Sequence, residues 1–599
     1  MKPDYICTGN EMISLPCINK VNASIFDFTM LHMGYKGLID VRGTLEKALL
    51  QPIIKINDNA VDFDTIVWRR KNDWIPVFEI ENHQVKIKGT ILSPIGERGF
   101  SYQLKIRNKG SASLKITLGF EGCWNSTYHS INEDKEIQAP CYVYESDWNH
   151  SLVFDMRIGV SVFAFAPMFR EEMNMEYNQS SEGISYRFER EFEVGANDAA
   201  VLDSFWGIGV EEVSATTSAK EMYRVGFEKE LNKTKDWLTK RYRVIKEDSL
   251  NEMFHTNLFF NFFYASGRTI DTEELVLVTS RSPRYYVSAA YWDRDSLLWS
   301  FPSILLVDAS YAKEMLLYVF GRQRRNIGIH SRYIDGTILE PGFELDELCA
   351  PIIALYNYVS KTKDEEILES EGVREGVRLI LARLEEKKHP NIALYETFLQ
   401  PTDDMHVYPY ITYDNVLVWR VYKNISMLFK NKWKEETINR MEELAHSVYE
   451  AIFTHCVKTY QSKRIFAWSV DQDGNWDVYD EPPGSLQLMP FYGFLKEDNE
   501  IYKNTVEVIR SKDYPYSFYG SPIAEIGCPH APHPWVLSIA NSLLCNRLES
   551  SKANLLQLKM DNGVACESVD ENTGESTTGD AFATCAGFLA YAIYEAFHV

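Results

Sequence analysis

The sequence predicts an N-terminal antiparallel β-sandwich followed by a C-terminal all-α toroid of helical hairpins. Three observations carry this expectation. The chain has 599 residues, well past the length at which one hydrophobic core keeps growing. Apolar residues alternate between about residue 50 and residue 210, and from about residue 215 they recur at helical spacing instead. These changes of period divide the chain into a sandwich over 1–214, a linker helix over 215–249 and a helical domain over 250–599.

In the first part, Tyr102, Leu104 and Ile106 form one apolar face, and Leu114, Ile116, Leu118 and Phe120 form the answering one across a turn-like Asn108-Lys109-Gly110. The runs at 149–167 and 184–194 continue the pattern. No helical crossovers intervene, which favours antiparallel over parallel pairing. The charged stretch at 218–242 reads as the linker helix. Beyond it, Val373, Val377, Ile380, Leu381 and Leu384 share one helix face, as do Ile438, Met441, Ala445, Val448 and Ile452. Such stripes are core.

Hydrophobic residues make up 45% and charged residues 25%, the balance of a folded globular chain. The net charge of −23 repels phosphate backbones and anionic lipid surfaces, so neither nucleic acid nor a membrane is an expected partner. The N-terminal segment at 1–17 lacks the apolar run of a signal peptide, and no stretch reaches the roughly 18 apolar residues of a spanning helix. The 10 cysteines lie scattered without a C-x-x-C pair and read as thiols of a reducing compartment. A cytoplasmic protein is the expectation; the oligomeric state is not readable.

Loops of unusual composition separate the helices, at 285–296, 336–347, 399–415, 478–485, 525–535 and 565–580. They combine aromatic rings with carboxylates, the chemistry of a sugar site: aromatic faces stack on sugar C–H surfaces while carboxylates and arginine bind hydroxyls. Glycoside hydrolysis with inversion needs a proton for the leaving oxygen and a second carboxylate that deprotonates water on the opposite face. The sequence offers Asp403-Asp404 in an aromatic loop and Glu567 in the final loop as candidates for the two roles. Each pair of letters taken alone is as well explained by a helix cap or a solvated turn.

Longer segments carry more weight. The WDRDS at 292–296, FELDELCAPIIALYNY at 343–358, PTDDMHVYPY at 401–410, IGCPHAPHPW at 526–535 and ACESVDENTGES at 565–576 occur in the order of the motifs of glycoside hydrolase family 125, the inverting exo-α-1,6-mannosidases. The catalytic half resembles that family, and more distantly the glucoamylases of family 15. The resemblance covers roughly 280–599 and implies an (α/α)6 barrel. A β domain before such a barrel is instead the arrangement of bacterial glucoamylases and disaccharide phosphorylases.

The resemblance implies a general acid in Asp403-Asp404, with Asp403 favoured and Asp404 the runner-up, and Glu567 as the base that activates water. It makes Arg294 and Asp295 the ligands of the terminal sugar, the alternative being a buried ion pair that holds the first hairpin. Trp292, Asp346, Glu347, His530 and Trp535 are further substrate-binding candidates. Cys566 stands where the mannosidases have His. His530 and His533 lie three positions apart, but no third ligand accompanies them, so no metal is expected; no cofactor is implied either. The expected reaction is release of a terminal α-linked mannose or glucose with inversion. A disaccharide phosphorylase, which needs no base carboxylate, and a silent carbohydrate-binding protein are the alternatives.

Overall fold

The computed structural model describes residues 4–44 and 46–598. Residues 1–3, the start of the segment read above for a targeting signal, lie outside the described residues. The chain divides into two compact units, one of Met1–Tyr242, Ser266–Val276 and Arg281–Ala289, the other of Arg243–Ala265, Leu277–Ser280 and Ala290–Val599.

The first unit is a β-sandwich. An eight-stranded sheet runs from Cys141–Ser146 through Ser151–Ile158, Val160–Phe169, Ala199–Gly209, Gly99–Asn108, Val85–Leu92 and Ile75–Glu81 to Val67–Lys71. A five-stranded sheet contains Asn174–Ser180, Gly183–Val194, Leu114–Trp124, Gln51–Ile56 and Asn59–Ala60, and the first four strands of the chain join Ser126–Ser130 and Asp134–Glu136 in a third sheet of six. The ladders around the two central strands are antiparallel.

The runs flanking Asn108-Lys109-Gly110 are not hydrogen-bonded partners: Gly99–Asn108 belongs to the eight-stranded sheet and Leu114–Trp124 to the five-stranded one. Their apolar faces therefore meet across the layers, with the Tyr102 and Phe120 ring centroids 5.0 Å apart. Asn108 secures the crossing, donating from Nδ2 to the carbonyls of Ala112 at 2.7 Å and Val194 at 3.0 Å.

The stretch read as one linker helix over 215–249 forms two, Glu212–Val225 and Phe227–Arg241. They part at Gly226, whose φ of 91° a residue with a Cβ rarely adopts. The first packs on strands Ala199–Gly209 and Val160–Phe169 within the sandwich unit.

The second unit is an (α/α)6 toroid. Helix Leu345–Thr362 packs on Thr412–Leu428, and the ring is closed by Ala583–Phe597, which packs on both Val536–Leu544 and Asn251–Tyr264. The composition sorts helices into walls. Asn251–Tyr264 is buried on every side from Phe254 onward, as an inner helix must be, whereas Glu435–Ala451 buries a single stripe of Ile438, Met441, Leu444, Ala445 and Val448. Inner helices approach closely at Gly587, where a Cβ would lie 2.5 Å from Asn261 Oδ1. Among the described residues no helix is long and apolar enough to cross a membrane. None of the 10 cysteines is bridged.

Candidate active site

Loops preceding the inner helices bring the candidate residues together at one end of the toroid. Arg294 opens a π-helical turn, Arg294–Ser300, and is 2% exposed. Its Nη1 donates to Glu344 Oε2 at 2.9 Å and to Asp346 Oδ2 at 3.1 Å and lies 3.6 Å from Glu347 Oε1, while Nη2 donates to Asp403 Oδ1 at 2.7 Å. One guanidinium is thus shared by four carboxylates, and the fork geometry of arginine is what makes such sharing possible. Burial pushes the Glu344 and Glu347 carboxyls well above their ordinary range, against the pull of Arg294. Behind them Asp293 pairs with Arg332 and accepts from the Tyr291 hydroxyl, and its backbone N–H donates to Glu347.

Asp403 and Asp404 sit in a tight loop closed by a bridge between Leu399 and Met405, with Asp403 N donating to the Gln400 carbonyl at 2.8 Å. Asp403 has a φ of 62°, a conformation that aspartate tolerates better than most residues. Neighbouring carboxylates consequently have different partners: Asp403 turns to Arg294 and Asp404 to His530, whose Nδ1 is 3.1 Å from Asp404 Oδ2. Burial alone would raise the Asp403 carboxyl, but Arg294 and His330 outweigh it and hold the group well below the usual carboxylate range. The loop is anchored by Glu481, which accepts from Thr402 N at 2.9 Å and from the Thr402 hydroxyl at 3.0 Å.

Glu567 is buried and faces the same ring from the other side, its Oε1 3.6 Å from His530 Nε2. With the imidazole between them, the two facing carboxylate oxygens are no more than about 9 Å apart, a bound that admits the roughly 6.5–9.5 Å of an inverting pair. The Glu567 backbone is clamped from both directions, donating to the Gly579 carbonyl at 3.1 Å and accepting from Val536 N at 3.1 Å. Gly579 has a φ of 60°, and a Cβ there would stand 2.5 Å from the Cβ of Glu567.

The remaining candidates divide into groups. Asp295 accepts the Thr584 hydroxyl at 2.8 Å, and its Oδ2 lies 4.0 Å from Arg294 Nε. Burial pushes its carboxyl up to about 7, partly offset by Arg294. Asp346 and Glu347 are buried and turn to Arg294. Trp292 is buried edge-on to His330, with ring centroids 6.2 Å apart. Trp535 donates to the Ala531 carbonyl at 2.9 Å and backs His530 at 6.0 Å. His533 points away to Glu571 at 3.4 Å, so the two histidines serve different carboxylates.

Sequence reasoning did not single out His330, Glu344, Arg332 or Glu481. Glu344 stands inside the quoted 343–358 segment, whereas the short strand Ile329–Arg332 carries no local signal of its neighbours. Among the described residues, two groups have ligand atoms close enough to share a metal ion, His330 with Glu344 and Asp403, and Glu344 with Asp346 and Glu347. Arg294 already supplies a positive charge to both, and a second cation there would meet its repulsion.

Known proteins place this site in context. A family described as metal-independent alpha-mannosidase (GH125) matches residues 386–594. The Meiotically up-regulated gene 157 protein of Schizosaccharomyces pombe is 22% identical over 310 residues, which are 44% of this chain and 61% of that protein. The match thus spans under two thirds of that relative. Among solved structures, a bacterial glucoamylase complexed with acarbose is similar over 100% of this chain and 95% of its own, with a TM-score of 0.62 and 12% identity. A putative kojibiose phosphorylase from human microbiome covers 98% of this chain and 86% of its own, with a TM-score of 0.60 and 10% identity. A Streptococcus pneumoniae metal-independent alpha mannosidase in complex with alpha-1,6-mannobiose covers 58% of this chain and 94% of its own, with a TM-score of 0.50 and 18% identity. The solved structures share the fold of this chain, and the family match over 386–594 is a resemblance to family 125 that covers part of the helical unit.

Proposed function

We propose that the protein is an exo-acting, inverting glycoside hydrolase that releases a terminal α-linked hexose, mannose or glucose, with Asp404 as general acid and Glu567 as general base. The observation that carries this reading is the line Asp404, His530, Glu567, which sets two carboxylates opposite one another at no more than about 9 Å.

Asp404 replaces Asp403 as the favoured acid. An acid must hold its proton until the leaving oxygen needs it, and the Arg294 guanidinium 2.7 Å from Asp403 keeps that carboxyl ionised. Asp403 then serves to tie the loop to Arg294. On the other side, Glu567 takes a proton from the water that attacks the anomeric carbon, while Asp404 protonates the departing oxygen. Asp295, beside Arg294, is placed to read hydroxyls of the terminal sugar.

A phosphorylase would need a cation free to receive phosphate where water attacks. Here the attacking side carries Glu567, and the guanidinium beside Asp403 is already shared among carboxylates. The direct test is a panel of aryl α-mannosides and α-glucosides, assayed with and without inorganic phosphate, with NMR of the anomer first released. Phosphate-independent release of the β-anomer is expected; a phosphate requirement, or first release of the α-anomer, would refute the reading.

A further inference from the structure

We propose that a cavity toward the other end of the toroid is a second small-molecule site, which takes an anion with an apolar body. The cavity measures about 430 Å³ and is walled by Leu298, Leu305, Ile353 and Phe491, with Arg420 and Lys361 in its polar lining. An apolar wall with a small number of placed polar groups is the ordinary make-up of a ligand pocket of this size. Its wall uses the later turns of helices whose first turns hold the carboxylates described above. Lys361 stands in the last turn of Leu345–Thr362, roughly 20 Å along it from Asp346 at about 1.5 Å per residue.

The cations carry the inference. Acidic residues outnumber lysine and arginine by 85 to 62, so a shortage of carboxylates does not explain a bare cation in this chain. Arg420 is half-buried, and among the described residues it makes no ion pair and no hydrogen bond. Its guanidinium lies over the Tyr356 ring, 5.1 Å from carbon to centroid, and the groups that favour its charge are the phenols of Tyr356 and Tyr492. Burial outweighs them and holds Arg420 below its ordinary range. Lys361, exposed at the rim, forms no ion pair either; Glu595 favours its charge from beyond ion-pair distance and Arg243 opposes it.

The contrast with the carboxylate site is chemical. There one guanidinium is shared among four carboxylates, whereas here two cations meet a single acidic lining residue, Glu595, and the lining stays positive. A charge held against an apolar wall without a counter-charge is costly, and an anion seated there relieves that cost. Asn357 and Ser360, also in the lining, add hydrogen-bond donors beside Lys361. A neutral sugar would leave the guanidinium uncompensated. An aryl or alkyl sulfonate, carboxylate or phosphate ester supplies both the charge for Arg420 and the hydrocarbon for Leu298, Leu305 and Phe491.

The test is a fluorescence titration with anilinonaphthalene sulfonate, an aromatic anion that brightens in apolar surroundings, with phenylnaphthylamine, the same rings without the sulfonate, as the neutral control. Saturable binding of the anion is expected, with the neutral compound at least about tenfold weaker, the worth of a hydrogen bond to a charged group. Arg420→Met, which keeps an apolar stem, should weaken the anion by a similar factor, and Lys361→Gln by roughly two- to fivefold, as for an exposed charge pair. Neither should change the affinity of the neutral compound. Absence of anion binding, equal affinity for the two compounds, or wild-type affinity in both variants overturns the proposal. The neutral control and Lys361→Gln, at an exposed position, keep the test decisive should Arg420→Met fail to fold. No glycoside enters the titration, so its outcome is independent of the hydrolase reading.

Discussion

The imidazole of His530 lies between Asp404 and Glu567, Nδ1 3.1 Å from one carboxylate and Nε2 3.6 Å from the other. A single ring therefore sets the relative position of the proposed acid and base. His530→Ala should lower kcat/KM by roughly 10²-fold, the usual consequence of misplacing reacting groups by an ångström or so. Steady-state kinetics on a poorly activated glycoside, with circular dichroism to verify the fold, measures this. An unimpaired variant would show that the ring organises nothing.

The two aspartates should separate by leaving group. Asp404→Ala should lose about 10²- to 10⁴-fold on a disaccharide or alkyl glycoside and far less on a dinitrophenyl glycoside or glycosyl fluoride, whose leaving groups depart without a proton. Asp403→Ala should be impaired on all of them alike, because it loses a tether of Arg294. Glu567→Ala should be slow on every substrate, since water still has to be deprotonated. If the selective rescue belongs to Asp403, the roles of the neighbours are reversed.

Arg294 balances a buried group of carboxylates, and removing it leaves them without a partner. Arg294→Met should destabilise the helical unit by about 3–5 kcal/mol at neutral pH. The loss should shrink as pH falls from neutral toward about 4, because burial already holds the Glu344 and Glu347 carboxyls high and, freed of Arg294, they take up protons that the unfolded chain binds only near its ordinary values. Urea titrations at the two pH values read both effects, and a loss as large at low pH as at neutral pH would contradict this account.

Asp295 gives stability a pH dependence of defined sign. Its folded-state pKa of about 7 lies above the ordinary aspartate value, so the folded state keeps a proton that the unfolded chain has lost. Its contribution is full below about pH 4 and is lost as pH rises to 7. Asp295→Asn keeps the neutral shape of the protonated acid and should be more stable than wild type at pH 8, with little difference at pH 4. Asp480, raised to about 7 chiefly by burial, should preserve part of the wild-type slope. Denaturant midpoints at both pH values decide it; equal differences would exclude the effect.

Gly579→Ala tests how the base is held. The new Cβ would stand 2.5 Å from that of Glu567, at a backbone conformation with a φ of 60°. Activity should fall by at least about tenfold with the helical content unchanged, because a small displacement of a catalytic group is costly. Wild-type kcat in this variant would place Glu567 outside the reaction.

Much of this molecule could be read from its residues in order. Alternation and helical spacing are local properties of a chain, because side chains alternate across a strand and recur every three or four positions along a helix. The sandwich and the toroid follow from them, and the pairing of aromatic rings with carboxylates was visible in the loops at 285–296, 401–410 and 565–576.

Tertiary structure decided what the loops do to one another. That Asp403 is taken by an arginine 109 positions earlier, and Asp404 by a histidine 126 positions later, depends on a left-handed turn and on loops that meet only when the toroid closes. The same holds for the burial that raises Glu344 and Glu347 and for the contact between His530 and Glu567. Charge and burial act through space and fall off within ångströms, so the partner that sets a carboxyl's protonation is defined by distance in the folded chain and leaves no trace in residue spacing.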